Sequence, residues 1–326
     1  MQEMNVITSQ IAVLMLLTAI GYLAGRTGYL PGNTGEFLAK VVIRITAPSL
    51  IISTMTSYDF DDKTLKDGLW VGFYAILFML LALVPAVLFS RLLRLEGASS
   101  NVFKVHTVFG NASYLALPLF KVLLGDKAVV TAVFFILSFE LLMWTLGVYL
   151  LNKHKGLTFS GTIKKFININ TITCIIGLIL ALTNLQQYIK GNAVAETIYN
   201  IFYKTFNPLG NCTLPLVMLF VGLNAANNAE GLSSILKKRV TLVLAFLKLL
   251  LVPLFSLLVL LLLGDMVDPF VRTVVVLELA MPCATIVVAL SAEYGSDYKQ
   301  AGDNTIITTV LSLVTLPLMM MLLNYV

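Results

Sequence analysis

The decapeptide FGNASYLALP, residues 109–118, interrupts an apolar run that is long enough to cross a membrane. The run extends over residues 103–124, yet its middle contains Gly110, Asn111, Ser113 and Pro118. Glycine and proline weaken a helix, and a buried asparagine must find a hydrogen-bond partner in hydrocarbon. A segment that only anchors a protein would carry leucine at these positions. The stretch therefore predicts a helix that is interrupted inside the membrane.

The composition of the whole chain is that of a polytopic membrane protein. Of its 326 residues, 58% are hydrophobic and 12% are charged, whereas soluble domains carry about 25% charged residues. The start, MQEMNVITSQ, has no basic region, so we expect the first span to be retained rather than cleaved. The three cysteines form no CxxC pair and are interpreted as small buried core residues. The net charge of +5 is typical of orientation signals and does not indicate nucleic-acid binding.

Hydropathy predicts ten spans joined by short connections. The predicted spans cover residues 7–25, 35–56, 68–90, 103–124, 128–151, 168–186, 195–223, 240–264, 270–293 and 302–325. The longest connection, NKHKGLTFSGTIKKFIN, falls at the midpoint of the chain. The pattern predicts no soluble domain, coiled coil or low-complexity tail.

The distribution of lysine and arginine predicts the orientation of these spans. Odd-numbered connections hold twelve basic residues: Arg26, Arg91, Arg94, Lys104, Lys153, Lys155, Lys164, Lys165, Lys237, Lys238, Arg239 and Lys299. Even-numbered connections hold five: Lys63, Lys66, Lys127, Lys190 and Arg272. Because basic residues concentrate in cytoplasmic loops, we expect a multi-pass protein of the cell membrane with both termini extracytoplasmic.

The prolines indicate an internal duplication of five spans. Pro48, Pro85 and Pro118 of the first half have counterparts at 167, 168 and 164 residues' distance, namely Pro215, Pro253 and Pro282. The repeats would be residues 1–155 and 156–326. An odd number of spans per repeat places the two copies in opposite orientations. Inverted repeats with paired discontinuous helices are typical of secondary transporters, where helix N-termini at the break bind anions.

Three motifs carry a resemblance to a known family. They are GNASYLALPLF at 110–120, FELLMWTLGVYL at 139–150, and AMPCATIVVALSAEYGSDYKQAGDNTIITTVLSLVTLPL at 280–318. With the ten spans, the sequence resembles the auxin efflux carrier family, which includes plant PIN proteins and bacterial relatives of the malonate and malate permease type. The chain lacks the long central hydrophilic loop of plant PINs, so the resemblance does not extend to auxin itself.

The resemblance implies an all-α fold similar to bile-acid symporters and sodium/proton antiporters. Spans 1, 2, 6 and 7 would form a scaffold, and spans 3–5 and 8–10 a moving transport domain. Broken spans 4 and 9 would cross at Pro118 and Pro282. The family's substrates are mostly organic anions, and its members tend to form homodimers through the scaffold.

Candidate substrate-binding residues lie around the two predicted breaks. The amide of Asn111 can donate to a carboxylate, or the residue can serve structurally as a helix cap. Ser113 and Tyr114 share its turn. Beside Pro282, Cys283 and Thr285 can offer polar groups to a ligand.

Candidate residues for proton or sodium coupling are Glu140, Glu278 and Asn304. Glu140 lies near the middle of span 5, where a lone carboxylate is costly and usually marks an ion or proton path; the alternative is a structural hydrogen bond to a neighbouring helix. Glu278 precedes Pro282 by four residues and could instead form a gate or a structural pair, with Lys248 as a plausible partner of either glutamate. Asn304 could equally cap span 10. His106 is expected at the surface of the cytoplasmic entrance.

The sequence favours a carrier of a small carboxylate that works by alternating access. The alternatives are an anion channel and a membrane sensor without transport. The sequence contains no HExxH motif of zinc peptidases, no GxSxG motif of serine hydrolases and no P-loop of ATPases, so we expect no enzyme activity, no cofactor and no metal site.

Overall fold

The computed structural model describes residues 2–31, 33–152, 167–227 and 232–325, and the regular structure in them is helical. The expected repeat boundary at 155/156 and most of the central connection lie outside the described residues. The membrane helices, numbered as the spans above, are α1 (Gln2–Arg26), α2 (Thr34–Ser57), α3 (Asp62–Leu92), α4a (Gly97–Val108), α4b (Ala112–Leu124), α5 (Asp126–Leu151), α6 (Ile169–Leu182), α7 (Ala193–Asn227), α8 (Arg239–Leu262), α9a (Pro269–Leu279), α9b (Ile286–Glu293) and α10 (Tyr298–Tyr325).

Among the described residues, six helices are long and apolar enough to cross a membrane by themselves: α2, α3, α5, α7, α8 and α10. Shorter apolar helices occur at Ala12–Arg26, Ala112–Leu124 and Ile169–Leu182. The prediction of an all-helical, polytopic membrane protein is thereby confirmed. Each of the ten predicted spans overlaps at least one of these helices along the chain, and predicted spans 4 and 9 each hold two.

Several prolines lie directly after a wide π-helical turn rather than at a break. The turns Val42–Thr46, Ala112–Ala116 and Leu247–Leu251 precede Pro48, Pro118 and Pro253, each by two residues. A proline lacks its N–H and collides with the carbonyl one turn earlier, and a π-turn accommodates both effects without ending the helix. At these three positions the proline follows a widened turn and the helix continues through it.

The helices pack in two groups. In one, α1 packs along the second half of α7, and α2 packs against α6 and the first half of α7. In the other, α3 contacts α5 and α9a, while α10 packs on α8 and α9b. The large core of buried apolar side chains is continuous between both groups. The crossing of the interrupted helices α4 and α9 lies inside the second group.

Candidate functional site

The two interrupted helices meet through their exposed backbone. Gly110 and Cys283 form an isolated antiparallel bridge. The backbone N–H of Asn111 donates to the carbonyl of Pro282 at 2.7 Å, and the N–H of Ala284 donates to the carbonyl of Phe109 at 3.2 Å. Backbone groups that an interrupted helix leaves unpaired are costly in a membrane. Each break therefore supplies hydrogen-bond partners for backbone groups that the other break leaves unpaired. These bonds hold the crossing in place.

The crossing does not lie at both prolines. Pro282 is in the break between α9a and α9b, as expected. Pro118 instead lies in the first turn after the π-turn of α4b, seven residues beyond Asn111, so the expectation that it marks the crossing is wrong. The break in α4 falls at Phe109–Asn111 because glycine permits the close approach there, whereas the π-turn absorbs the proline.

A pocket opens beside the crossing, between the two groups of helices. The part of its lining that the structure describes contains polar but no charged side chains. The crossing and α10 contribute Asn111, Tyr114, Thr285, Thr305 and Thr309, and α7 contributes Asn224 from the opposite wall; the apolar lining comes from Ala39, Val42, Ile43, Leu115, Val217, Phe220, Val221 and Ile306.

Three of the predicted binding residues reach this pocket. The Nδ2 atom of Asn111 lies 3.4 Å from the hydroxyl of Thr285, across the crossing. The Asn111 side chain makes no capping hydrogen bond to α4b, so its amide faces the pocket instead. Tyr114 lines the same cavity. An amide and a hydroxyl from two different helices thus converge on one space, as a polar ligand would require.

The other predicted binding residues lie elsewhere. The backbone N–H of Cys283 donates to the Thr308 hydroxyl at 3.1 Å, and its buried thiol donates to the carbonyl of His106 at 3.7 Å. Ser113 is buried and accepts from the amide of Asn170 at 3.4 Å. Both residues contribute to packing behind the pocket wall.

Glu140 is the centre of a buried hydrogen-bond network. Its carboxylate accepts from Trp144 Nε1 at 2.6 Å, Asn168 Nδ2 at 2.9 Å and Asn170 Nδ2 at 3.2 Å. Asn170 also donates to the Tyr114 hydroxyl at 3.0 Å, which links the network to the pocket. Asn168 caps α6 through bonds from two backbone N–H groups. Three N–H donors thus satisfy the oxygens of this buried carboxyl group.

Sequence reasoning missed the two asparagines of this network. The signal was present, because Asn168 precedes an apolar run and Asn170 follows within the first turn, which is a helix-start pattern. Nothing local indicates that the capping turn faces the middle of α5. The contact depends on how the two helices pack.

Glu278 and Lys248 lie on the other side of the crossing. Each is 1% exposed. The Lys248 ammonium group donates to the carbonyl of Val108 at 3.4 Å, at the C-terminal end of α4a. The carboxylate of Glu278 has no hydrogen-bond partner among the described residues. The hydrogen bond of Lys248 is thus with the crossing, and its expected pairing with Glu140 or Glu278 remains a prediction.

Asn304 lies in the second turn of α10, because that helix begins at Tyr298 rather than at residue 302. Its buried amide is 3.4 Å from Nδ1 of His106 and does not cap the helix start. His106 is fully buried, and its Nε2 lies 3.4 Å from the carbonyl of Ala284. The expectation of a surface histidine is therefore wrong; the ring joins α4a to the crossing and to α10.

Interrupted helices that cross beside a polar pocket, within a bundle of membrane spans, define a polytopic membrane transport protein. A family profile described as "Membrane transport protein" matches residues 6–320. The chain belongs to this family, the auxin efflux carrier family, which confirms the resemblance read from the motifs. Membership identifies a transporter rather than an enzyme.

Two archaeal proteins are similar over nearly their whole length. An uncharacterized transporter of Methanothermobacter thermautotrophicus is 26% identical over 312 residues, which cover 95% of this chain and 96% of the relative. An uncharacterized transporter of Methanocaldococcus jannaschii is 21% identical over 323 residues, which cover 94% of this chain and 96% of the relative. The similarity thus extends over nearly the full length of the chain.

Proposed function

We propose that the protein is a secondary carrier that moves a small organic anion, a carboxylate, by alternating access. The observation that carries the proposal is the uncharged polar pocket between the two helix groups, with residues of both interrupted helices in its wall. A carrier needs such a site at the junction of a fixed part and a moving part. The site also has to release its ligand, which favours neutral donors over a buried cation.

The polar groups of the pocket suit a carboxylate. The Asn111 amide is a donor, and the hydroxyls of Tyr114 and Thr285 can each donate one hydrogen bond. Asn111 directly precedes α4b, and the N-terminus of that helix has a partial positive charge. Ser113, Pro118, Pro282 and Cys283 would act indirectly, by shaping the crossing. These donors can bind any small carboxylate, so the apolar walls of the pocket select which sizes of substrate fit.

The proposed scaffold and transport domain correspond to the two helix groups. Spans 1, 2, 6 and 7 form the scaffold and spans 3–5 and 8–10 the transport domain, with the two halves of the chain as inverted repeats. The contacts of α1 with α7, and of α2 with α6 and α7, support the scaffold. The contacts of α3 with α5 and α9a support the moving part. If two copies of the chain dimerise through their scaffolds, the scaffolds would stay fixed while the transport domains move.

The proposed orientation makes this an inward-facing state. The pocket lies beside Ala39 of α2, Asn224 of α7 and Thr305 of α10, all in the halves of those helices that we place toward the cytoplasm. On the other side, the Lys121 ammonium group donates to Thr54 Oγ1 at 3.0 Å and to Asn207 Oδ1 at 3.5 Å. These bonds join α4b to the scaffold, so they close the outward path.

Binding tests the proposal directly. Purified protein is heated with malonate, malate, succinate, lactate or indole-3-acetate, in the wild-type form and as Asn111→Ala. A ligand at about 100 times its Kd stabilises the folded state by about 2.7 kcal/mol, which raises the melting temperature. We expect at least one acid to do so, and the shift to be lost in Asn111→Ala but kept in Asn211→Ala, a change at an exposed position of α7.

Uptake into proteoliposomes distinguishes the remaining classes. A carrier saturates with substrate and accelerates when the opposite side holds the same anion. Unsaturable conductance would indicate a channel, and binding without flux would indicate a sensor. A well-folded protein that none of the acids stabilises would remove the carboxylate from the proposal.

A further inference from the structure

We infer that the carried anion is a monocarboxylate with a short aliphatic tail, and that the tail lies in a second cavity directly behind the pocket. The inference rests on the proposed function, because it names the class of anion that the pocket takes. The neutral donors of the pocket select a carboxylate without selecting what is attached to it. The walls of the second cavity select that part of the substrate.

The second cavity, which we call the rear chamber, adjoins the pocket. It shares Leu115, Val221 and Thr309 with the wall of the pocket. From there it continues along α4b to Leu123 and along α10 to Met320. The stretch of α4b from Leu115 to Leu123 corresponds to about 12 Å of helix. The rear chamber thus extends well beyond the donors that would hold the carboxylate.

The rear chamber lies inside the protein, between the two helix groups. Its walls come from α1 and α7 on one side and from α4b, α9a and α10 on the other. Four side chains of these walls are at most 5% exposed, namely Leu119, Met218, Leu277 and Met320. A groove on the outer surface would instead expose its walls to lipid. The rear chamber therefore offers enclosed space to a ligand that has entered the pocket.

The side chains that line the rear chamber are aliphatic. They are leucine, valine, methionine and proline, together with two hydroxyl residues, and the lining that the structure describes contains no charged or aromatic side chain. The hydroxyl of Thr309 donates to the carbonyl of Thr305 at 2.6 Å, and the hydroxyl of Ser312 donates to the carbonyl of Thr309 at 2.7 Å. Both hydroxyl hydrogens are thus used within α10 and are not offered to a ligand.

Such walls reject a second charge and stabilise methylene groups. A second carboxylate would lose its hydration in the rear chamber without gaining a hydrogen-bond donor, which is unfavourable. Burial of a methylene group is favourable instead, and it tightens binding about fourfold per group. The anion that fits both cavities therefore has one carboxylate, near Asn111 and Thr285, and an aliphatic tail that extends along α4b.

The dependence of binding on tail length tests the inference in wild-type protein. The Kd values of acetate, butanoate, hexanoate and succinate are measured at about pH 7.5, where the acids are ionised, from the concentration dependence of the melting temperature. Two added methylenes should make the Kd of butanoate about 16-fold lower than that of acetate. Succinate has the same number of carbons as butanoate and should bind more weakly. Equal affinities of acetate and butanoate, or tighter binding of succinate, overturn the inference.

Two substitutions in the walls of the rear chamber locate the tail. Ser312→Leu fills part of the chamber, so the Kd of butanoate should rise about tenfold while that of acetate is unchanged. Leu316→Ala enlarges the chamber, so the Kd of hexanoate should fall about fourfold relative to that of butanoate. Leu318→Ala is the matched control and should keep the wild-type ratios, because Leu318 lies two residues further along α10 and is 57% exposed.

The outcomes separate the two proposals. If no acid binds wild-type protein, both proposals fail. If acids bind with an affinity that does not depend on the tail, or if folded wall variants keep the wild-type ratios, the tail does not lie in the rear chamber and the carrier proposal stands. If Ser312→Leu does not fold, Leu316→Ala and the wild-type series still decide.

Discussion

Replacing Gly110 by alanine should loosen the crossing. A Cβ at this position would lie 3.0 Å from the Met281 carbonyl oxygen, 3.0 Å from Lys248 Nζ and 3.1 Å from its Cε. These distances are tighter than most Cβ contacts in proteins. The lysine is held by its bond to Val108 and the carbonyl belongs to the backbone of the opposite break, so neither moves freely. Overpacking of this kind costs about 1–3 kcal/mol.

The measurement is thermal unfolding of detergent-solubilised protein, with Gly302→Ala as the matched control. Gly302 lies in α10, and a Cβ there meets nothing within 4 Å. Alanine in such a helical position stabilises by up to about 1 kcal/mol. We therefore expect opposite signs for the two variants, with Gly110→Ala also weakening anion binding. Equal or higher stability of Gly110→Ala would refute the close packing of the two breaks.

Three further predictions concern other contacts. Glu140→Ala removes the acceptor of three N–H donors, of which Trp144 and Asn170 are buried, and should destabilise the folded protein by about 1–3 kcal/mol for each buried donor left unsatisfied, measured by unfolding against Glu140→Gln, which keeps acceptor capacity. Lys121→Ala removes the bonds that close the outward path, so a cysteine at Ser53, the buried residue next to Thr54, should react faster with an impermeant maleimide added outside; an unchanged rate would contradict this gate. Asp61 caps α3 through a bond from the Thr64 N–H, and hydrogen bonding to Thr64 lowers the pKa of its carboxyl below the usual value. The ionised Asp61 cap stabilises the folded protein at pH values above the usual pKa, and this stabilisation is lost as pH falls through the lowered pKa. The free energy of unfolding of Asp61→Ala should therefore fall less steeply at acid pH than that of the wild type.

Much of the fold is predictable from the sequence because membrane insertion is decided locally. Each apolar run of about 20 residues must pair its own backbone, so the helices α1 to α10 follow from hydropathy. The interruption at FGNASYLALP is also local, since glycine and asparagine weaken the helix where they stand. The place of the break within that stretch was predicted less well. Pro118 looks like a helix breaker, but a π-turn absorbs it.

The candidate site was predictable only in part. Asn111, Tyr114 and Thr285 flank the predicted breaks, and they do line the pocket. Asn170 belongs to a capping turn far along the chain, and its contact with Glu140 has no local signal. His106 looks like an entrance residue by position, yet packing of α10 and the crossing buries it.

The sequence by itself determined the spans, the two interruptions and the family, because hydropathy, helix weakening and motif identity are properties of neighbouring residues. Only the tertiary structure decided which groups meet: Gly110 with Cys283, Glu140 with Asn170, and Lys248 with Val108. In hydrocarbon each polar group must find its partner inside the protein, and the partner is wherever helix packing places it. Partners 30 to 173 positions apart in the chain (Glu140 to Asn170, Gly110 to Cys283) are therefore set by packing and not by local sequence.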